Sequence, residues 1–340
     1  MYLDQDRQRR MKHYFIINPA AGSGRDQQAM VPRILDAAKK WGADYELHRT
    51  SGPGEATIYV RGRLAADPGG AARFYACGGD GTAAEILNGL YGAGNAELAI
   101  VPVGSGNDYI RNFGGRERFL DIAAQLAGEA VPVDAIRFSY TPVESKGGAL
   151  ASHEADGSGV CTAYALNMIN MGFDARVASR LVQMKNRFFL KGTGAYVAGI
   201  VRELAGYRMN RAVFRPEGEE AFETDILLAG VGSGRFSGGG FEGIPVAAVN
   251  DGMLDLIVIE PLTRGEFIRL VGVYHDGRHL DHPGLKGKYR LFRVDGVAIE
   301  PVSGLVFTAD GEALYTDELL TVSLAPEKIR FVIPDGVERP

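Results

Sequence analysis

The chain has 340 residues, which is long for one compact domain and predicts two, each with its own core. Its 46% hydrophobic and 23% charged residues are typical of a soluble protein, and no apolar run reaches the roughly 18 residues that a membrane span needs. The formal net charge of −5 argues against nonspecific binding of nucleic acid, so we expect no nucleic-acid partner. The two cysteines make no disulfide framework, and we expect reduced thiols in a cytoplasmic protein.

Strands and helices alternate through the first part of the chain. Apolar runs predict strands at 13–17, 45–48, 74–77 and 98–101, and helical spacing predicts helices at 30–41, 56–66, 83–90 and 119–126. Pro32 leaves the start of the first helix open. Because such alternation is typical of βαβ units, we predict an α/β nucleotide-binding domain over residues 12–133, with helices flanking a parallel sheet.

From residue 134 the sequence changes to short strands separated by Gly, Asn and Asp turns. We therefore predict a β-rich antiparallel sandwich, the substrate domain, over residues 134–324. Helices are predicted within it near 175–184 and 195–204, and the aperiodic segment 141–159 is predicted to be a hairpin loop. Two apolar runs, at 319–324 and 330–334, predict closing strands.

Two glycine-rich loops follow successive predicted strands of the first domain. One is the GGDGT turn at 78–82, between a strand and a helix, and the other is the PVGSGND loop at 102–108. Glycines let backbone amides approach a polyphosphate closely, and a helix N-terminus adds partial positive charge. Since open α/β sheets bind ligands at the carboxyl ends of their strands, the two loops predict a nucleotide site.

The familiar phosphate-binding signatures of kinases are missing from the sequence. It contains no G-x-x-x-x-G-K-[ST], and no H-R-D with a later D-F-G. A G-x-G-x-x-G match at 238–243 is followed by Ile244-Pro245 rather than by a helix, which argues against a dinucleotide site. Phosphate binding must then depend on the GGDGT turn, where Asp80 is suited to hold Mg²⁺ directly or through water. A plain turn with a helix cap is the alternative.

Seven ordered motifs run along the chain: NPAAGSG at 18–24, GGDGT, PVGSGND, NMGFD at 170–174, FSGGG at 236–240, PVAAVNDGMLD at 245–255, and DGE at 310–312. Together they resemble the diacylglycerol kinase catalytic family of ATP-dependent lipid kinases, and in particular its bacterial soluble branch. The resemblance spans roughly residues 12–335 and implies an NAD kinase/diacylglycerol kinase-like fold, the cofactors ATP and Mg²⁺, and a lipid hydroxyl as acceptor. It also implies that a C-terminal segment, about 325–337, can return to the first domain.

The loops and the resemblance together indicate the site residues. The catalytic candidates are Asp80 and Asp310; the resemblance implies that Asp310, on a glycine turn, is the general base, and a plain β-turn is the alternative. The metal candidates are Asp80 and Asp251, which the resemblance implies as a ligand of a structural Mg²⁺, with a hairpin turn as the alternative. The candidates for binding nucleotide are Asn18, Arg25, Gly78, Gly79, Gly81, Thr82, Ser105, Asn107, Asp108, Arg111 and Glu312.

For three of these candidates a simpler structural explanation is open. Asn107 and Asp108 begin a predicted helix and can act as caps, and Arg25 can be a solvated surface arginine. At the level of function, an NAD kinase or another small-molecule kinase is the first alternative, because NAD kinases are similar at GGDGT. A catalytically idle regulator that binds nucleotide or lipid is the second. The acceptor lipid can be diacylglycerol, phosphatidylglycerol, a sphingoid base or undecaprenol.

A lipid acceptor requires transient, peripheral membrane contact through a local patch. The densest basic and apolar stretch is 180–191, and a solvated helix face is the alternative explanation for it. Whether the chain forms a homodimer is left open. The stretch contains Arg180, Leu181, Lys185, Arg187, Phe188, Phe189, Leu190 and Lys191.

Overall fold

The computed structural model describes residues 11–22, 25–143, 155–185 and 209–340. These residues form two compact units, the first comprising the chain up to Ala135 together with Ala325–Pro340, and the second comprising residues 136–324. Among the described residues no helix is both long enough and apolar enough to cross a membrane. The helix predicted at 195–204, most of the loop predicted at 141–159, and residues 186–191 of the basic and apolar stretch lie outside the described residues.

The first unit is an α/β domain. Its strands are β1 (Lys12–Ile17), β2 (Asp44–Arg49), β3 (Ala72–Gly78), β4 (Ala96–Pro102), β5 (Glu129–Val133) and, last in chain order, β20 (Ile329–Ile333). Its helices are α1 (Arg25–Trp41), α2 (Glu55–Ala66), α3 (Asp80–Leu90), α4 (Arg116–Phe119) and α5 (Ile122–Ala127), with a 3₁₀ turn at Tyr109–Phe113.

The six strands form one sheet in the order β2-β1-β3-β4-β20-β5. Neighbouring strands are parallel, except that β5 runs antiparallel to β20. In the register of β3 and β4, Gly78 lies opposite Pro102, so the two strands end side by side. Both glycine-rich loops therefore start at the same place on the carboxyl edge of the sheet.

Both faces of this sheet are covered. On one face Ile34 of α1 and Leu126 of α5 pack in a cluster with Tyr75 and Val101 of the central strands. Helices α2 and α3 contact each other, and α3 also contacts β3 and β4. Every residue of β3 and β4 is buried, as expected for parallel strands between two layers of helices.

The strand β20 belongs to the core of the first unit. Phe331 is fully buried between β4 and β5. Its ring centroid lies 5.0 Å from that of Tyr109, 5.1 Å from Phe113 and 6.4 Å from Phe119. A segment from the far end of the sequence thus completes the sheet that carries the glycine loops.

The second unit is an antiparallel sandwich of two six-stranded sheets, in the orders β10-β9-β16-β19-β6-β7 and β15-β14-β11-β8-β17-β18, beside a ribbon of β12 and β13. Its strands are β6 (Ile136–Tyr140), β7 (Cys161–Ala165), β8 (Met168–Gly172), β9 (Asn210–Pro216), β10 (Phe222–Ile226), β11 (Leu228–Gly232), β12 (Phe236–Ser237), β13 (Phe241–Glu242), β14 (Leu254–Ile259), β15 (Tyr289–Val294), β16 (Gly296–Pro301), β17 (Leu305–Ala309), β18 (Glu312–Thr316) and β19 (Leu320–Leu324). Its helices are α6 (Phe173–Lys185) and α7 (Arg264–His275), with a 3₁₀ turn at Pro283–Leu285.

Aromatic rings join the two sheets of the sandwich. Phe138 and Tyr140 of one sheet meet Phe307 of the other edge-on, with ring centroids 6.2 and 5.2 Å apart. Edge-to-face contact is a favoured arrangement for aromatic pairs and fixes the two layers against each other. The predicted fold class, a parallel α/β domain followed by an antiparallel sandwich, is confirmed.

Candidate active site

The two glycine-rich loops are in direct contact. The amides of Val103 and Gly104 both donate to the carbonyl oxygen of Gly78, each at 2.9 Å. The backbones approach so closely that a Cβ on Gly104 would lie 2.3 Å from the Cα of Gly79. Glycine is required here because any side chain would push the loops apart. The GGDGT turn and the PVGSGND loop therefore form one surface.

Asp80 joins the two loops through hydrogen bonds. It is the first residue of α3, and its two carboxylate oxygens accept the amides of Asn107, at 2.7 Å, and of Asp108, at 2.8 Å. A Cβ on Gly106 would come within 2.7 Å of the same carboxylate. An acidic residue in the first turn of a helix is also favoured by the partial positive charge of the helix N-terminus. Asp80 thus sets the position of the second loop.

A third loop joins at Thr82, which is buried. The Nδ2 group of Asn18, just after β1, donates to the Thr82 hydroxyl at 3.0 Å, and the Asn18 side-chain oxygen accepts the amide of Ala20 at 3.0 Å. Gly79 occupies the cap position of α3, so the Thr82 hydroxyl serves Asn18 and not the helix end. Arg25 begins α1, and its side chain lies outside the described residues.

Asn107 combines a strained backbone with a buried polar group. Its φ is 53°, in the left-handed region, and the residue is 5% exposed. Its Nδ2 group donates to the carbonyl of Gly104 at 2.7 Å, whereas its side-chain oxygen has no hydrogen-bond partner among the described residues. Strain and an unsatisfied acceptor at one residue are features that concentrate in binding sites.

Asp108 and Arg111 form an ion pair beside Asn107. The Arg111 Nε lies 3.3 Å from Asp108 Oδ1, and its Nη2 group donates to the carbonyl of Gly106 at 3.3 Å. Asp108 precedes the 3₁₀ turn, but its side chain makes no capping hydrogen bond, so the cap explanation does not account for it. Ser105 is exposed on the same loop. The loop therefore presents a hydroxyl and a guanidinium together with the carboxylates of Asp80 and Asp108.

In the second unit Asp310 sits in the turn between β17 and β18. Its φ is 47°, and its carboxylate accepts three consecutive amides, those of Leu166 at 2.6 Å, Asn167 at 2.9 Å and Met168 at 3.1 Å. These bonds hold the start of β8 against the turn and fix the carboxylate in place. Glu312, the other acidic residue of the DGE motif, begins β18 and is half-buried.

Asp251 lies in the turn before β14. Its Oδ1 accepts the amide of Met253 at 3.2 Å, and its Oδ2 pairs with the guanidinium of Arg293 on β15. Asp255 nearby is 5% exposed, and burial raises the pKa of its carboxyl, against the opposing effect of Arg293. Within the described part of the chain no group of three or more His, Cys, Asp or Glu side chains is placed to hold a metal ion.

An apolar cavity lies inside the second unit. The room in it for the centre of a water-sized molecule is about 50 Å³, so the cavity is narrow. Asp174 is the one carboxyl group among the described lining residues, and burial raises its pKa to about 7. The sequence signal for this cavity is the NMGFD motif, because Asp174 is its last residue. The other lining residues include Phe173, Val177, Leu227, Phe241, Phe267 and Leu270.

Comparisons with known proteins identify the family of the chain. Residues 12–138 match the diacylglycerol kinase catalytic domain, and residues 167–333 match the YegS C-terminal NAD kinase beta sandwich-like domain. A protein of Enterobacter sp. strain 638 named "Probable lipid kinase YegS-like" is 30% identical over 264 residues, which are 76% of this chain and 76% of that protein. One of the same name from Alcanivorax borkumensis is 26% identical over 319 residues, 93% of this chain and 95% of that protein.

A solved structure of a diacylglycerol kinase from Bacillus anthracis strain Sterne superposes with a TM-score of 0.62 at 19% identity, covering 96% of this chain and 98% of that one. At such an identity the likeness is one of fold. A diacylglycerol kinase catalytic domain followed by a β sandwich defines a lipid kinase, and the chain belongs to the bacterial YegS-like lipid kinase family.

Proposed function

We propose that the protein transfers the γ-phosphoryl group of ATP, in the presence of Mg²⁺, to a hydroxyl group of diacylglycerol or a related lipid. Membership of a lipid kinase family supports the acceptor class. The observation that carries the nucleotide part is the contact of two glycine-rich loops around Asn107, whose buried side-chain oxygen has no partner among the described residues. Such an acceptor is unfavourable until a donor satisfies it, and a nucleotide offers hydroxyl and amino donors.

The residues around Asp80 fit a triphosphate and its metal. The first backbone amides of a helix such as α3 have no acceptor within the helix, so this helix end favours an anion. In the proposal the backbone of residues 79–82 binds phosphate together with Arg111, and the carboxylates of Asp80 and Asp108 would hold Mg²⁺. When bound, the metal would neutralise charge on the phosphates, which is its usual part in phosphoryl transfer.

The apolar cavity of the second unit suits the hydrocarbon part of a lipid. Burying each methylene group of a chain contributes about 0.8 kcal/mol, so a lining of aromatic and branched side chains binds an acyl chain without polar contacts. Asp174 supplies one polar group at this cavity. A carboxyl whose pKa lies at about 7 is partly protonated near neutrality and can donate a hydrogen bond to an ester or hydroxyl oxygen.

We keep Asp310 as the candidate general base because the family resemblance implies that role. Three amides orient its carboxylate, and orientation of a proton acceptor is part of what general-base catalysis needs. The same amides also give Asp310 a role in holding the loop at 166–168. A substitution at this residue is therefore expected to alter both turnover and the stability of the second unit.

The test is an assay with labelled ATP, Mg²⁺ and a total lipid extract, with the phosphorylated species identified by mass. We expect a lipid phosphate, and a roughly 10²–10⁴-fold loss of turnover in Asp310→Asn. Asp317→Asn, in the next turn along the chain and exposed, is the control and should keep full activity. Phosphorylation of NAD instead of lipid would support the first alternative, and nucleotide binding without any turnover would support the idle regulator.

Membrane contact is part of the same proposal, since the acceptor resides in a bilayer. The stretch 180–191 is the candidate surface, and its second half, 186–191, lies beyond the described ranges. Co-sedimentation with vesicles that contain diacylglycerol is expected, and it should weaken when Phe188 and Phe189 are replaced by Ser. Activity on a short-chain soluble acceptor should stay unchanged in that variant; equal losses on both acceptors would remove the stretch from the proposal.

A further inference from the structure

The turn at 250–253 brings two carboxylates and one guanidinium together. Arg293 pairs with Asp251 Oδ2, and in the pairing of β14 with β15 it also lies directly opposite Asp255. Asp255 is almost completely buried, and both Asp251 and Arg293 act on it electrostatically. A single positive side chain thus stands next to two negative ones at the start of β14.

These residues do not fit the structural Mg²⁺ that the resemblance implies at Asp251. Mg²⁺ is bound through carboxylate and other oxygen ligands in near-octahedral geometry. Here one oxygen of Asp251 is engaged by a guanidinium, which stays protonated at any pH at which the protein is folded, and the other accepts the amide of Met253. A divalent cation at the same carboxylate would meet a permanent like charge.

The geometry points to Arg293 as a replacement for that metal: its guanidinium supplies the positive charge that holds the turn at Asp251 against β14 and β15. An arginine fork bonds carboxylate oxygens directionally, so it can fix a turn as a metal would. The turn is then stable without free Mg²⁺, and the protein needs Mg²⁺ only together with its nucleotide. This inference does not depend on the proposed acceptor or on phosphoryl transfer.

The experiment is thermal unfolding of the purified full chain, without nucleotide, in EDTA and in millimolar MgCl₂. The parent protein should unfold at the same temperature in both. Arg293→Gln should unfold roughly 2–4 °C lower in EDTA, as expected for the loss of one favourable ion pair in a domain of this size, and should regain the difference in MgCl₂. The added cation would then occupy the place that the guanidinium has left.

Arg290→Gln is the matched control. Arg290 lies on the same strand and forms a surface ion pair with Glu260, at 3.3 Å, away from Asp251. Its loss should create no response to Mg²⁺, because Arg290 pairs with Glu260 and not with Asp251. Adding Asp251→Asn to Arg293→Gln should abolish the recovery in MgCl₂.

Four results would each overturn the inference. The parent protein could gain as much from MgCl₂ as the Arg293→Gln variant does, which would show that a metal already holds the turn. Arg293→Gln could be as stable in EDTA as the parent protein, or could stay destabilised in MgCl₂. Finally, recovery that persists after Asp251→Asn would place the metal elsewhere.

Discussion

Asp80 illustrates how one carboxylate can set the shape of a binding surface through the backbone amides that it accepts. Its oxygens hold the amides of Asn107 and Asp108, so the shape of the second loop depends on it. Hydrogen bonds to a charged group contribute about 1.5–3 kcal/mol. Removing the charge should therefore shift the loop even where the helix around it stays folded.

We predict that Asp80→Asn raises the KM for ATP and lowers kcat/KM by roughly 10–100-fold, the factor that corresponds to those bond energies. The amide keeps the size of the side chain but turns a donor toward one of the two backbone N–H groups. Steady-state kinetics at varied ATP measures the effect. Glu85→Gln is the control, because Glu85 lies on the same helix and accepts the amide of Ala56 at 3.1 Å. An equal rise in KM in both variants would mean that α3 as a whole, and not the loop contact, is responsible.

Asp174 gives a pH dependence whose sign follows from burial. Burial raises the pKa of its carboxyl from 3.8 to about 7, so the folded protein binds a proton more tightly than the unfolded chain does. The stabilising effect of that proton is complete below about pH 4 and is lost as the pH rises through about 7. Asp174 therefore destabilises the fold at alkaline pH.

We predict that Asp174→Asn is less sensitive to pH than the parent protein between pH 5 and pH 8. Chemical denaturation at both pH values measures the free energy of unfolding. The free energy of unfolding of the variant should rise relative to that of the parent as the pH rises. Asp225→Asn is a contrasting control, because an ion pair with Arg211 holds the pKa of Asp225 below its usual value. Parallel pH profiles for the parent and Asp174→Asn would contradict the assignment.

At the scale of elements, the helices and strands of the first unit were predictable from their periodic patterns. The residues at which one helix ends and the next begins were less predictable. The pattern at 119–126 predicts one helix, whereas the structure has two, α4 and α5. The break has a local cause: the side chain of Asp121 accepts the amides of Ala123 and Ala124, which starts a new helix. Pro32 lies within α1 and does not delay its start at Arg25.

Contacts between distant segments were not predictable from the sequence. The bonds from Asp310 to residues 166–168 join positions more than 140 apart in the chain, and the pair of Asp251 with Arg293 joins the turn before β14 to β15. Motifs identify such residues as candidates but say nothing of what their side chains hold. The roles assigned to the site residues therefore remain predictions, and the hydrogen bonds show only what their side chains contact.

The contact of the two glycine loops gives a prediction at this scale. Gly104→Ala should weaken ATP binding strongly, because its Cβ would lie 2.3 Å from the Cα of Gly79 and would separate the loops. Gly94→Ala is the control, since Gly94 has open space around its Cβ position in the turn before β4. Calorimetric titration with ATP measures both. Unchanged affinity in Gly104→Ala would show that the loops can separate without harm to the site.

For the molecule as a whole, the order of the two units could be predicted from the family resemblance and from the sequence pattern. Near residue 134 that pattern changes from alternating strands and helices to short strands separated by turns. The position of β20 could be anticipated only from the resemblance, because an apolar run at 330–334 has no local feature that selects its partner strands. Its ring contacts through Phe331 show why the first unit needs it.

We predict that residues 11–135 alone do not fold stably, whereas the same segment joined to residues 325–337 by a flexible linker does. Without β20, the strands β4 and β5 lose the neighbour between them, and Phe113 and Phe119 lose the ring they pack on. Circular dichroism and a denaturant titration compare the two fragments. A cooperative transition in the shorter fragment would refute the requirement.

The same strand sets the order of events on the ribosome. Domains are usually completed in the order in which they are synthesised. Here most of the first unit is made early but lacks an interior strand until residues 329–333 have been translated, and by then every described strand of the sandwich has been translated. The glycine loops therefore acquire their rigid support last, and a nascent chain cut short anywhere before β20 would carry a complete set of nucleotide-loop residues on an unfinished sheet.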